Sequence, residues 1–333
     1  MVKPCCLAIS TVVLMATAPP VPADMTSSPL TPGRGYMAVA LGASGVEAGD
    51  FRYGHLPGTN APAYQFDGSS SGSDVAMTLG YGFTADAVPR WLGASPRAEF
   101  TMAYAGTVMR AAGSTPVGTR VPFIDGRLPN NLQFTTANNH RYEREQRRSD
   151  LDLLIGGDHD VGAWRMRLTP YFGLTYLRRD TRGLLESTDP GPAVVDLRML
   201  EKLDASYAGA KVGLQLSRGL WPSGELFLGV SASWLRASAT LSAHQHFVTY
   251  PAPPGTIAQV VRKERASTRA ASFEIGIRHD FKVAQLALIV ESNSLDYVPV
   301  AVYPVLFTDP AVQLSDTRVT ERRATVLFTV PFE

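Results

Sequence analysis

The chain is almost without cysteine. Only Cys5 and Cys6 carry a thiol, and both lie in an opening segment that reads as removed on export. The mature chain then has no disulfide, no thiolate metal site and no cysteine nucleophile. Charge of one sign is lacking too. A formal net charge of +1 gives no global reason to expect nucleic acid as a partner. Long apolar runs are also missing, since the longest, Cys5 to Ala18, is too short to cross a membrane as a helix. There is no Gly-rich phosphate loop, serine-nucleophile elbow or zinc motif, so neither a cofactor nor a metal is expected. Disorder over most of the length is excluded by a hydrophobic content of 45%.

What is present begins with an address. The run Cys5 to Ala18 follows Lys3 and leads into Pro19-Pro20-Val21-Pro22-Ala23, a signal peptide with cleavage expected after Ala23. Residues 24–34 are rich in Pro, Ser and Thr and read as a periplasmic lead-in. From 35 to 333 the chain alternates apolar and polar residues in segments that predict strands. The cleanest places Val75, Met77, Leu79, Tyr81 and Phe83 on one face, with Ala76, Thr78, Gly80 and Gly82 on the other. Others centre on Val39, Phe100, Leu153, Phe172, Val212, Val230, Ile275 and Leu288. The last runs from Ala324 to Phe332, with Val326, Phe328 and Val330 on one parity.

Ten such segments are predicted, or twelve if the long loops carry a further pair. Each is about the 9–11 residues that a tilted strand needs to cross a bilayer. The connections alternate. Short turns follow the even-numbered segments, as at Asp160 to Ala163, Arg218 to Ser223 and Asp280 to Val283. Stretches of roughly 20–40 residues follow the odd-numbered ones, beyond the usual range of compact soluble domains. This alternation predicts an all-β, transmembrane antiparallel β-barrel with periplasmic turns and extracellular loops. Turn chemistry near the loop centres, as at Leu56-Pro57-Gly58 and Pro253-Pro254-Gly255, fits that layout. Phe247 to Tyr250 and Ile257 to Val261 have the pattern of a hairpin prolonging two strands past the membrane.

The C-terminal segment, with its aromatic Phe332, resembles the closing strand of bacterial outer-membrane β-barrels. That resemblance implies a Gram-negative outer membrane, lipid and lipopolysaccharide as surroundings, and recognition of the strand by the barrel-assembly machinery. Trp91, Trp164 and Trp221 lie in or beside predicted turns, and Trp234 lies near the opposite end of its strand. Together with Phe332 they are the expected interfacial girdle.

Fixing the outward parity fixes the inward one. Mid-lumen positions are mostly small: Gly80, Ala103, Gly156, Gly173, Gly213, Gly229, Ser231 and Gly276. Toward the turn side they become ionic: Arg97, Glu99, Asp158, Arg165, Arg167, Lys211, Glu225, Glu274, Arg278 and Glu291. Arg facing lipid costs about 2–4 kcal/mol at the midplane, which keeps these groups inside. Neighbouring strands bring opposite signs together, as with Asp158 beside Arg165 or Arg167 and Glu225 beside Arg278. Two readings follow: paired charges that fill a narrow barrel, or a charged constriction with room above it beside the glycines.

An enzymatic alternative comes from layout. A barrel of this size with tall loops resembles the omptin proteases, which implies an acidic pair facing a histidine at the outer rim. Asp150 and Asp152 are the candidate carboxylates, and His244 and His246 the candidate bases, a spacing that places each pair on one side of a strand. The orienting carboxylate of an Asp–x–His pair is absent from His244-Gln245-His246. Loop charge suggests a surface partner. Met109 to Ser149 holds Arg110, Arg120, Arg127, Arg141, Arg144, Arg147 and Arg148, well in excess of its carboxylates, and Arg262, Lys263 and Arg265 add a second basic stretch. Basic rims suit lipopolysaccharide phosphates. The expected function is a non-enzymatic outer-membrane barrel, acting as a narrow pore or as a structural and surface-interaction protein.

Overall fold

The computed structural model describes residues 33–47, 50–84, 89, 93, 95–127, 133–161, 166–191, 194–248, 256–281 and 283–332. The expected signal peptide, nearly all of the lead-in, Trp91, Trp164 and Arg165 lie outside the described residues. Among the described residues there is no helix. The strands are β1 (Gly35–Glu47), β2 (Phe51–His55), β3 (Pro62–Phe66), β4 (Ser70–Gly82), β5 (Arg97–Thr115), β6 (Asn138–Gly156) and β7 (His159–Val161). They continue as β8 (Met166–Asp189), β9 (Val194–Trp221), β10 (Gly224–Phe247), β11 (Thr256–Asp280), β12 (Gln285–Val302) and β13 (Gln313–Phe332).

Antiparallel pairing runs from β1 through β4, β5, β6, β8, β9, β10, β11, β12 and β13 and back to β1. Two joints close the ring: Val39 opposite Phe328 between first and last strands, and Leu153 opposite Leu174 across β6 and β8. Each segment predicted from the alternation falls on one ring strand, only Phe83 lying past the end of its strand at Gly82. Closure leaves the apolar C-terminal strand no free edge, which removes its aggregation hazard.

The alternation decides which side chains face where. Leu41, Val75, Leu79, Phe100, Leu153, Leu174, Val230, Ile275, Val290 and Phe328 all stand exposed on the outside, Leu41 and Leu174 at 63%. A soluble protein rarely exposes so large a contiguous apolar surface. Wrapped around a closed sheet, it is a belt for hydrocarbon. Trp221 and Phe332 mark its edge on the short-turn side, and Trp234, Tyr104 and Tyr176 its opposite edge, all exposed.

The predicted long loops are for the most part not loops. β9 has 28 residues and β11 has 25, more than twice what the bilayer requires, so the wall continues far above the belt. The correction has a simple cause. Above the membrane the outward residues become charged, and a search for apolar alternation stops there although the backbone pairing does not. Asp180 opposite Asp204 and Arg147 opposite Asp180 are ladder partners in that upper wall.

The chain's main core fills the inside of the upper wall. The β2–β3 hairpin from the first loop is tucked inward, with Tyr53 and Tyr64 fully buried. Phe66 stacks on Tyr142 at 4.8 Å between ring centroids and 3° between planes, and Phe51 sits 4.6 Å from the same ring. Val121, Phe123, Ile124 and Phe134 of the second loop, together with Leu197, Leu241 and Phe247 of the wall, complete the cluster. Gly54 has φ of +59°, and a Cβ there would lie 2.8 Å from the Arg120 carbonyl oxygen, so glycine alone lets the hairpin bond to the second loop. His55 and Arg120 exchange backbone hydrogen bonds of 2.9 and 3.0 Å at that contact.

Candidate functional site

The lumen is the candidate site, and it is built in layers because inward positions recur every second residue on each strand. At the short-turn end Arg97 donates to Glu99 at 2.7 Å and to Asp158 at 2.8 Å. Asp158 also accepts from the Thr169 hydroxyl at 2.7 Å and faces Arg167 at 3.8 Å. Across the barrel Arg278 pairs with Glu225 at 2.5 Å. Tyr36 donates to Glu99 at 2.5 Å, tying this layer to the first strand.

Above it lies a cavity of about 280 Å³ lined by Tyr36, Tyr171, Phe227, Lys211, Glu274 and neighbours. The small mid-lumen residues do not leave the room expected of them. The Tyr36 ring lies across Gly80, Tyr171 across Gly213, Phe227 across Gly276, and the Glu274 side chain across Gly229. Each glycine is the slot for a neighbouring strand's large side chain. Lys211 closes the cavity from above by donating to Asp152 at 2.8 Å. Glu274 has no hydrogen bond or ion pair among the described residues.

Of the next layer the sequence pattern names only Asp150 and Glu291, and its centre was not expected. Glu321, with a side chain 2% exposed, contacts Arg148, Arg179 at 3.2 Å and Arg323 at 3.4 Å. Arg148 also pairs with Asp150. Arg323 in turn reaches Asp74 at 3.6 Å, Asp150 at 3.5 Å and Glu291 at 3.8 Å. These groups come from β4, β6, β8, β12 and β13, so the network spans the lumen and cross-links the wall. Beside it remains a void of only about 40 Å³, lined by Arg148, Arg179 and Glu321 and by the apolar Leu203, Ala205, Val298 and Val319. That space holds a few water molecules at most.

The upper plug is held by hydrogen bonds around Gln245, while the Tyr142 hydroxyl and His140 Nδ1 are buried without a hydrogen-bond partner among the described residues. Gln245 accepts from the Ile124 amide at 3.0 Å and donates to the Pro122 carbonyl at 3.0 Å and to the Tyr53 hydroxyl. Tyr53 itself donates to the Pro122 carbonyl at 2.7 Å, and Tyr303 to Glu201 at 3.0 Å. Burial raises the hydroxyl pKa of Tyr53 and Tyr303 well above the usual tyrosine value. His140 packs edge-on against Tyr64 at 5.1 Å, and burial pushes its pKa down.

The protease arrangement is overturned by strand parity. Asp150 and Asp152 face the lumen and are engaged by Arg148 and Lys211. His244 and His246 share the outward parity of Trp234 on β10, while their neighbours Ala243, Gln245 and Phe247 are buried inside. The barrel wall separates the acids from the histidines. The basic stretch from Met109 to Ser149 is divided between the wall strands and the second loop. Five of its seven arginines lie on wall strands, where Arg110 meets Glu143 at 3.2 Å, Arg141 meets Glu186 at 2.8 Å and Arg147 meets Glu145 at 2.6 Å. Arg144 and Arg148 point inward. Among the described residues no group of three His, Cys, Asp or Glu side chains is arranged to hold a metal.

Neither a protein-family model nor a curated protein matches the chain. Solved structures do. A major outer membrane protein from Thermus thermophilus is similar at 12% identity over 89% of this chain and 99% of that one, with a TM-score of 0.30. An outer membrane channel from Pseudomonas putida is similar at 10% identity over 94% and 100%, with a TM-score of 0.34. The Pseudomonas putida toluene transporter TodX is similar at 7% over 91% and 90%, with a TM-score of 0.22. Likenesses this slight say nothing of what the chain transports or binds. Its own closed sheet and encircling apolar belt give it the architecture of an outer-membrane β-barrel.

Proposed function

We propose that the chain is a ten-stranded barrel of the Gram-negative outer membrane, non-enzymatic, and stoppered at rest so that it serves as a structural and surface-interaction protein. The observation that carries this reading is the pair of barriers in series. The Glu321 network crosses the lumen near the outer edge of the belt, and the apolar plug around Tyr53 and Tyr64 fills the wall above it. An ion in transit would have to break buried Arg–carboxylate contacts and then cross a hydrocarbon-like layer. The cavity of about 280 Å³ favours a second reading, a small-solute channel that opens when the β2–β3 hairpin withdraws.

Single-channel recording in planar bilayers separates the two. The stoppered barrel gives no steady conductance, and deleting residues 50–67 leaves it silent because the ionic layer below remains. A wild-type conductance well above the bilayer background, or one that appears on deleting the hairpin alone, favours the channel. Correct folding is checked independently by the heat-dependent gel shift of closed barrels.

A further inference from the structure

Around most of the upper wall, outward cations sit next to carboxylates. Besides the pairs already described, Arg178 meets Asp180 at 3.0 Å, Arg198 meets Glu186 at 2.8 Å, Lys202 meets Asp204 at 3.1 Å and Arg318 meets Asp296 at 3.4 Å. The outward face of β10 and β11 differs. Register places Trp234 opposite Arg269, Arg236 opposite Ser267, Ser238 opposite Arg265 and Thr240 opposite Lys263. Arg236, Lys263, Arg265 and Arg269 are all exposed, and none has a carboxylate partner among the described residues. The outward parity of the two strands holds no acid from Trp234 to His246 or from Ile257 to Arg269. Arg262, grouped with Lys263 and Arg265 by sequence, lies on the other parity.

Height matters as much as charge. Trp234, 52% exposed, marks the outer edge of the belt, four residues along β10 from Val230, which pairs with Phe273. Arg269 is level with it, and Arg236, Arg265 and Lys263 follow in the next few residues. Arg236 stands diagonal to Arg265 and Arg269, roughly 7–8 Å from each, Lys263 follows Arg265 on the same face of β11, and each cation is opposite a hydroxyl or an indole. That spacing leaves room for an oxyanion between two guanidiniums, which bind phosphate through paired N–H donors. In the outer leaflet the groups at this depth are lipid headgroups.

We propose that the outward face of β10 and β11 is a binding site for the phosphates of an outer-leaflet phosphoglycolipid, held by Arg236, Lys263, Arg265 and Arg269 above Trp234. Trp234 packs on the acyl region while the cations grip the headgroup. This site rests on the membrane-barrel reading, because only that reading brings the outer leaflet to this face.

The test uses the full mature chain refolded in zwitterionic detergent, with diphosphorylated lipid A as probe and fully dephosphorylated lipid A as control. Native mass spectrometry counts retained lipid, and a titration gives its apparent affinity. Wild type retains the phosphorylated probe, and binding weakens with added salt. Arg236→Ser, Lys263→Ser, Arg265→Ser and Arg269→Ser combined weaken it by about tenfold or more. Arg110→Ser, Arg141→Ser and Arg147→Ser combined, on the carboxylate-paired wall, leave it unchanged. Equal retention by the β10–β11 variant, or equal binding of the dephosphorylated probe, overturns the proposal. Inorganic phosphate competing as well as the lipid does so too. A chain with no heat-dependent gel shift and no partition into outer-membrane fractions overturns the barrel reading itself, a result distinct from a folded barrel that ignores lipid phosphate.

Discussion

Glu321→Gln should be among the most damaging single substitutions in the barrel, and the structure says why. Glu321 is the only carboxylate that pairs with Arg179 among the described residues, at 3.2 Å, and the Arg179 side chain is 15% exposed. The other two cations have alternatives, since Arg148 keeps Asp150 and Arg323 keeps Asp74, Asp150 and Glu291. The amide therefore strands one buried guanidinium and turns an N–H toward donors that cannot accept it. Breaking a buried pair from one side costs about 3–5 kcal/mol. Arg179→Met removes the stranded charge, and Glu321 then retains Arg148 and Arg323, so that change alone should cost only about 1 kcal/mol. Combining the two should restore much of what Glu321→Gln loses. The assay is urea unfolding of the refolded barrel in lipid vesicles, followed by tryptophan fluorescence, as a double-mutant cycle. If the two changes add to within about 0.5 kcal/mol, Arg179 does not depend on Glu321 and the reasoning fails.

Two further outcomes are expected. Gly80→Ala places a methyl where the Tyr36 ring lies, so the ring must leave and its 2.5 Å bond to Glu99 with it. A loss of about 1–3 kcal/mol in the same unfolding assay is expected, with no such loss for Gly45→Ala, where the added Cβ meets open space. The second concerns acid. The pKa of His140 is depressed in the fold by burial, so the stability its neutral ring supports is complete above the ordinary histidine value of about 6.5. It is lost as pH falls through the lowered folded value. Hydrogen exchange at the β2–β3 hairpin should quicken, after correction for intrinsic rates, from about pH 7.5 to about pH 5. His140→Phe should flatten that dependence, and an unaltered pH response in the variant would assign it to another group.

The closed sheet and the lipid-facing parity were legible in the residues because both are local. Period-2 alternation is a property of consecutive residues, and a bilayer demands it over a fixed length. Val75 to Tyr81 or Val326 to Phe332 declare their outward face without knowledge of any neighbour. The inward ionic residues Arg97, Lys211, Glu225, Glu274 and Arg278 followed from the same parity. The Phe51-x-Tyr53 and Tyr64-x-Phe66 alternation around Leu56-Pro57-Gly58 was a hairpin signal, hidden by its position in an expected loop. Apart from Asp150 and Glu291, the Glu321 layer was missed where the apolar pattern ended, at Leu151 and Ala324, although its members continue the same parity.

What only the tertiary structure decided is who meets whom across the barrel. Glu321 and Arg179 lie 142 positions apart in the chain, and ring closure alone brings them together. The same closure places the wall between Asp150 and His244, undoing a catalytic pairing that spacing had allowed. Alternation is written in the sequence because each residue answers to its own side of the sheet. Partnership across a lumen depends on strand order, register and curvature summed over the whole ring, and no short stretch of residues contains that sum.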